Sequence, residues 1–565
     1  MDPGIFFVLV ASVLVAAVAR WRKWPAPLLV TVAALAVSFL PFVPEINIDG
    51  HVLLNIVLPP LLYSAALDVS FVSFRRSMPQ IRRLGVGLVV VTAAVVGLVA
   101  WLIMPSLTVP GALLLGAIVA PPDAVSAAAI GRKLGLPRRI MTVLSGESLI
   151  NDATSLTLFR VFAAIVAGAT LTAWDGIWQF AVAVVVGVVL GLVFGIGIHQ
   201  LRMRIDDPVI TGTFGLMAPF GAYVAAEELL GSGVLAVVAM GLYVGFNAPK
   251  TSYATRQHET PLWLGLDFLL ESFVFAYIGL QLPRAINDLF DEHIGQVLGL
   301  SAVVLVVVLL VRPAFVFPAN VWGAMWQRRK LARFDEAVAA GAIVEGRRLR
   351  YGKSRTPAQL RSRMEQPELS WRDNMIISWA GMRGVVTLAT AVAAADLAAL
   401  DPEPSHAIVV VAFIVTVGTL LLQGLTLPIL IRRLGVSRAS EVKDDDAQLA
   451  AVRHRTHEAG QAYLRKMRER WIAQHGEDQL AEFDRIAKRL FRAESSSDSQ
   501  VEEQPRLTQE QFTTLSRGWL KVRRRLLLEE RDAGNLSEEV MHELITAMDA
   551  EELALDTRSA LRPEG

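Results

Sequence analysis

Gly146-Glu147-Ser148-Leu149-Ile150-Asn151-Asp152 sets two carboxyl groups inside a stretch, Ile140 to Ala169, that is otherwise apolar enough to lie in lipid. A carboxylate at a helix centre in hydrocarbon costs roughly 2.5 to 3.5 kcal/mol on insertion scales, so each acid needs a partner or a task. If the stretch is helical, Ser148 and Asp152 are four apart on one face, with Ser155 next along it. Glu147 and Asn151 pair on an adjacent face. A carboxylate converging with a hydroxyl offers the oxygen ligands that a small hard cation prefers, and the same carboxylate takes a proton instead. The plainer reading is that structural salt bridges consume both acids. Intramembrane acids are usually functional, which favours the first.

The surroundings support the lipid setting. Of 565 residues, 53% are hydrophobic and 19% charged, with a mean hydropathy of +0.46, too apolar for an ordinary soluble domain. Apolar runs recur from Ile5 to Ile431, most of them long enough as helices to cross a core of about 30 Å, and we expect about thirteen spans. Lys and Arg gather in alternate connections: Arg20, Arg22 and Lys23; Arg75 to Arg83; Arg132 to Arg139; Arg202 and Arg204; Lys250 and Arg256; Gln327 to Arg372; Arg432 and Arg433, with a lone Arg284 on the other side. That alternation predicts an external N-terminus and a cytoplasmic C-terminus. Ala17-Val18-Ala19 resembles a signal-peptide cleavage site, but a basic region before it is lacking, so a retained span is expected.

The expected organisation is a transmembrane domain over 1–436, with a cytosolic loop at 327–372, and a charged, mostly helical cytosolic tail over 437–565. In the tail, Thr508 with Gln511 and Asn535 with Glu538 fit capping boxes, Gly534 ends a helix, and Ser495 to Ser499 reads as a linker. Cysteine is absent, which excludes disulfides and thiolate metal sites.

Further polar residues fall at membrane depth. Ala120-Pro121-Pro122-Asp123 interrupts the fifth run, and two successive prolines should unwind the helix and free backbone carbonyls, that of Pro122 among them, as ion ligands. Irregular backbone at that depth is tolerated where it is buried in protein or lines a cavity. Arg312 interrupts a Val and Leu run, and Arg383 sits in Gly381-Met382-Arg383-Gly384, whose glycines should loosen the twelfth run. Buried charges must be paired, so Glu147, Asp123, Arg312 and Arg383 are candidate partners for one another. Glu227 reads as interfacial and solvated, and Glu271 as lining a pathway or a subunit contact.

The Gly-Glu-Ser-Leu-Ile-Asn-Asp block, the broken segment at Asp123, Leu58-Pro59-Pro60 and Gly381-Met382-Arg383-Gly384 together resemble the monovalent cation:proton antiporters of the Asn-Asp class, bacterial relatives of the sodium/hydrogen exchangers. The resemblance covers about Ile5 to Arg433. It implies an all-α polytopic fold of two inverted repeats with crossed, unwound helices, assembled as a homodimer in the cell membrane. It implies that Asp152 carries cation and proton in turn, that Ser148 is a ligand, and that neutral Asn151 marks the electroneutral class. Glu147 then forms a structural ion pair with Arg312, and Arg383 and Asp123 are charges at the crossing. Relatives often carry an acid four positions after the second proline of Leu-Pro-Pro, where this chain has Ser64. Ser64 is therefore expected to stand among the ligands with one negative charge fewer, and Asp68, one turn on, either to compensate in part or to lie at the cytoplasmic interface.

Other classes fit less well. A sodium-coupled solute carrier needs a roomier polar cavity, and a cation channel needs a filter-like glycine motif. The sequence lacks His-Glu-x-x-His, Gly-x-Ser-x-Gly and the Gly-x-x-x-x-Gly-Lys phosphate loop, which argues against an enzyme or an ATP-driven pump. No cofactor is expected and no nucleic acid. The expected partners are sodium or another monovalent cation, protons and the lipid bilayer.

Overall fold

The computed structural model describes residues 3–22, 26–40, 50–170, 173–205, 207–287, 294–340, 369–395, 402–475, 509–533 and 536–560, with a few isolated residues between them. Among these, every regular element is helical, and the chain divides into two compact units: Met1–Asn247 with Gln257–Arg438, and Ala248–Arg256 with Ala439–Gly565.

The first unit opens with two apolar helices, α1 (Pro3–Trp21) and α2 (Ala26–Ser38). Next, α3 (Gly50–Ile56) and α4 (Leu58–Leu67) are separated at Val57, with proline in the first turn of α4, where its missing N–H leaves no bond unmade. Ser70 caps α5 (Phe71–Arg82) by accepting the Ser73 N–H at 3.2 Å. A wide π turn over Arg83–Leu88 then leads into α6 (Val89–Ile103). The helices α7 (Thr108–Val119), α8 (Ala124–Leu134) and α9 (Arg138–Val166) follow, and then α10 (Ala173–Arg204). Asp207 caps α11 (Pro208–Glu228) by accepting from the N–H groups of Val209 and Ile210. The unit continues with α12 (Gly233–Asn247), α13 (Tyr253–Asn287) from Gln257 onward, α14 (Ile294–Ala339), α15 (Trp371–Trp379), α16 (Val385–Ala395) and α17 (Pro402–Leu434).

Nine helices among the described residues are long and apolar enough to cross a membrane, from Gly4–Trp21 to Pro404–Leu434, and four shorter apolar helices accompany them. Their outward faces are apolar: α10 exposes Val185, Val189 and Val193, and α6 exposes Leu98 and Leu102. In water such a surface is a liability; in hydrocarbon it is the solvated face. Helix association in lipid then depends on close packing, which small residues permit. Gly191 brings α10 against the Ala236 backbone of α12, and Gly116 brings α7 against the Ala93 backbone of α6, leaving no room for a side chain. Gly116→Ala should therefore force α6 and α7 apart and lower the thermal midpoint of the detergent-solubilised protein. An unchanged midpoint would mean the contact is looser than it looks.

Polar residues in this unit are mostly paired. Glu227, read from the sequence as solvated, instead meets Arg160 at 2.5 Å and accepts the Gly233 N–H at 2.8 Å. The helix start at Gly233 offers unsatisfied N–H groups, which hold the carboxylate at that terminus.

The second unit comprises residues 248–256 with α18 (Ala439–His475), α19 (Gln509–Ala533) and α20 (Glu538–Ala560). Its core joins Val452, Leu520, Leu527, Val540, Met541 and Ile545. Arg256 grips Asp549 with Nε at 2.8 Å from Oδ2 and with Nη2 on Oδ1, and Tyr253 donates to Asp556. Helix α20 begins at Glu538 behind Ser537, whose hydroxyl accepts the Val540 N–H at 3.4 Å. The Ser537 N–H in turn donates to Gln448 Oε1 at 3.1 Å. Thr508, Gly534, Asn535 and the 495–499 stretch lie outside the described residues.

Candidate functional site

Two interruptions of helix meet inside the first unit. Pro121 and Pro122 remove consecutive backbone donors, so α7 ends at Val119 and α8 begins only at Ala124. Gly381 to Gly384 separates α15 from α16 in the same way. The two irregular segments are joined directly, the Asp123 N–H donating to the Met382 carbonyl at 2.5 Å. At Gly384 an added Cβ would collide with the Asp123 carboxylate, so this glycine sets how closely the segments approach.

The broken backbone leaves carbonyls that need donors, and Arg383 supplies them. Its guanidinium, 2% exposed, donates from Nε to Val119 O at 3.0 Å, from Nη2 to Ala120 O at 3.4 Å and from Nη1 to Gly381 O. Its own N–H donates to Thr419 Oγ1 at 3.0 Å. The sequence reading expected an ion pair here. Among the described residues Arg383 lies within ion-pair distance of no carboxylate, because the negative end of α7 and the freed carbonyls already occupy its fork of donors.

Glu147 is taken by Arg312. The contact is bidentate, Nη1 to Oε1 at 2.5 Å and Nη2 to Oε2 at 2.9 Å, between residues 1% and 3% exposed. Nε of Arg312 donates to Ile377 O at 3.0 Å, so the pair ties α9 to α14 and α15. Gly146 lets α9 lie against Ile81 and Phe74 of α5.

Asn151 reaches the crossing itself, its Nδ2 donating to the Pro122 carbonyl at 2.7 Å while its buried Oδ1 has no partner. One turn further, Ser155 donates to Ala117 O at 2.8 Å. Asp152, 7% exposed, has the Asp123 charge as its neighbour. Among the described residues it makes no hydrogen bond and no ion pair through its carboxylate. Ser148, half-buried one turn before it, likewise keeps its hydroxyl free of protein partners. The centre of the unit thus holds a buried carboxylate left open, next to unwound backbone carbonyls and a neutral amide clamped in place.

Ser64, also buried, donates to Oδ2 of Asp267 on α13. Sequence reasoning passed over Asp267. The available signal was its spacing from Glu271: two acids one helical turn apart within the apolar run Leu262 to Leu282.

The sodium/hydrogen exchanger transmembrane family model matches residues 7–433. The chain is 31% identical over 439 residues to an uncharacterized Na+/H+ exchanger of Mycobacterium tuberculosis, covering 76% of this chain and 74% of that one. It is 28% identical to the Na+/H+ antiporter ApNhaP of Aphanothece halophytica, covering 74% and 71%. Among solved structures, the sodium proton antiporter MjNhaP1 of Methanocaldococcus jannaschii shares the fold with a TM-score of 0.55 at 18% identity, over 76% of this chain and 97% of that one. A multi-pass helical membrane unit with crossed unwound segments, matched along most of its length by this model, makes the chain a member of the sodium/hydrogen exchanger family.

Proposed function

We propose that the chain is an electroneutral antiporter exchanging a monovalent cation, sodium first among them, for a proton, with both competing for Asp152. The observation that carries this reading is the open, buried carboxylate of Asp152 beside the crossing, since a lone charge at that depth is tolerated only when a cation or proton neutralises it. Ser148 Oγ and the Pro122 carbonyl supply neutral oxygen ligands. Pro122 retains a second lone pair after accepting from Asn151. Asn151 does not titrate, so one proton exchanges for one monovalent cation. Relatives named as Na+/H+ antiporters support the choice of ions.

Protonation expels the cation, and a rigid-body movement of the part bearing α9 and the crossing carries either occupant across the bilayer. The scaffold for that movement is the Glu147–Arg312 pair and the carbonyls gathered by Arg383. The nine long apolar helices, with four shorter ones beside them, support a fold of about thirteen spans, arranged as two inverted repeats in a homodimer. The N-terminus is external, the 439–565 tail cytoplasmic and the membrane that of the cell.

In proteoliposomes holding the purified chain, adding sodium dissipates an imposed pH gradient at a rate independent of a membrane potential clamped with potassium and valinomycin. A rate that follows the clamped voltage would defeat the one-for-one stoichiometry assigned to Asn151.

A further inference from the structure

Asp267 is an intramembrane acid with an incomplete set of partners. One carboxylate oxygen accepts the hydroxyl of Ser64, which is 8% exposed, and the other, Oδ1, is buried with no hydrogen-bond partner. Arg20 stacks on the Phe268 ring, its guanidinium carbon 5.0 Å from the ring centre. Among the described residues neither Asp267 nor Glu271 has an ion pair, although Glu271 feels the Arg20 charge.

Acidic groups follow one another from Asp267 toward Asp152. Asp68, at the end of α4, is a charge neighbour of Asp267; Asp267 of Glu271; Glu271 of Asp123; and Asp123 of Asp152. Asp68 ends α4 just before α5, which carries Arg75, Arg76 and Arg82, so the series starts beside a basic helix. Like charges at such quarters are ionised together only when mobile cations share them. Ser64 donates its hydrogen to Asp267 and keeps its own lone pairs, so Ser64 Oγ and Asp267 Oδ1 present two oxygens side by side, of the kind a hard cation takes.

We propose that Asp267, held by Ser64, is a second cation-binding carboxylate on the ion's route to Asp152, supplying from α13 the acid that α4 lacks at position 64. The proposal rests on the reading of Asp152 as the exchange carboxylate. Asp267 serves entry and affinity, whereas Asp152 serves exchange itself. Its loss is therefore expected in the concentration dependence and not in the maximal rate.

The test is sodium-dependent proton exchange by the full chain in proteoliposomes, read as apparent KM and maximal rate. Asp267→Asn raises the apparent KM for sodium about tenfold, as loss of one charge-assisted contact does, with the maximal rate held within about threefold. Asp267→Glu stays near the unmodified chain. Moving the acid back, in the double variant Ser64→Glu with Asp267→Asn, recovers most of the lost affinity. A purely structural role would lower the maximal rate, leave KM alone and show no recovery. Should Asp267→Asn fail to insert, Ser64→Ala still raises KM severalfold, and an unchanged KM there overturns the proposal. Asp152→Asn separates the two layers. An active Asp152→Asn removes the underlying reading. An inactive one, beside an Asp267→Asn of unaltered KM, removes this inference alone.

Discussion

Asp152→Asn abolishes sodium-driven proton movement, lowering the exchange rate at least about a hundredfold, which corresponds to roughly 2.7 kcal/mol of lost stabilisation. The substitution keeps the shape of the side chain and removes its charge and its exchangeable proton. Nothing in the surrounding protein depends on that charge, because the carboxylate has no hydrogen bond or ion pair among the described residues, and its neighbour Asp123 repels it. The thermal midpoint of the solubilised protein should accordingly stay level or rise, since an unpaired buried charge has been taken away. The joint result is the informative one: a stable, folded, inactive protein. Exchange at the unmodified rate would remove Asp152 from the mechanism, and inactivity with loss of folding would make it a structural residue.

How far the sequence discloses this site depends on whether a feature is local. The helix breaks are local. Two adjacent prolines cannot both continue an α-helix, and glycines flanking Arg383 weaken one, so both unwound segments are legible from a few residues. The apolar runs are legible for the same reason, as composition over a span. Partner choice is not local. The residues alone leave Glu147 two arginines, the family resemblance implies Arg312, and the fold sets Arg312 against it while turning Arg383 toward Val119, Ala120 and Gly381. Glu227 reads as solvated because its partner Arg160 stands on another helix. Asp267 is harder still, since its meaning comes from Ser64, 203 residues away. The sequence showed that position 64 lacks an acid; which helix brings one there is a matter of packing.

Glu147→Gln and Arg312→Met should each destabilise the protein strongly, by about 3 to 5 kcal/mol, because each leaves one charge buried without its partner. The pair is bidentate and almost without solvent access, so water cannot take over for the missing group. Glu147→Gln leaves the Arg312 guanidinium with Ile377 O and an amide oxygen; Arg312→Met strands the carboxylate altogether and is the worse of the two. Replacing both, as Glu147→Leu with Arg312→Met, removes two charges together and should be less damaging than either single change, with a coupling of about 2 kcal/mol or more. The measurements are the thermal midpoint and the yield of folded protein from detergent, followed by exchange in proteoliposomes for whichever variants survive. This profile is the reverse of that expected for Asp152: stability falls first, and transport falls with it. If Glu147→Gln instead kept full stability and lost only exchange, Glu147 would belong to the ion's path and Arg312 would be its counter-ion during transport. The two acids of one seven-residue stretch are thus separated by which property each substitution removes, and that separation does not depend on knowing the transported cation.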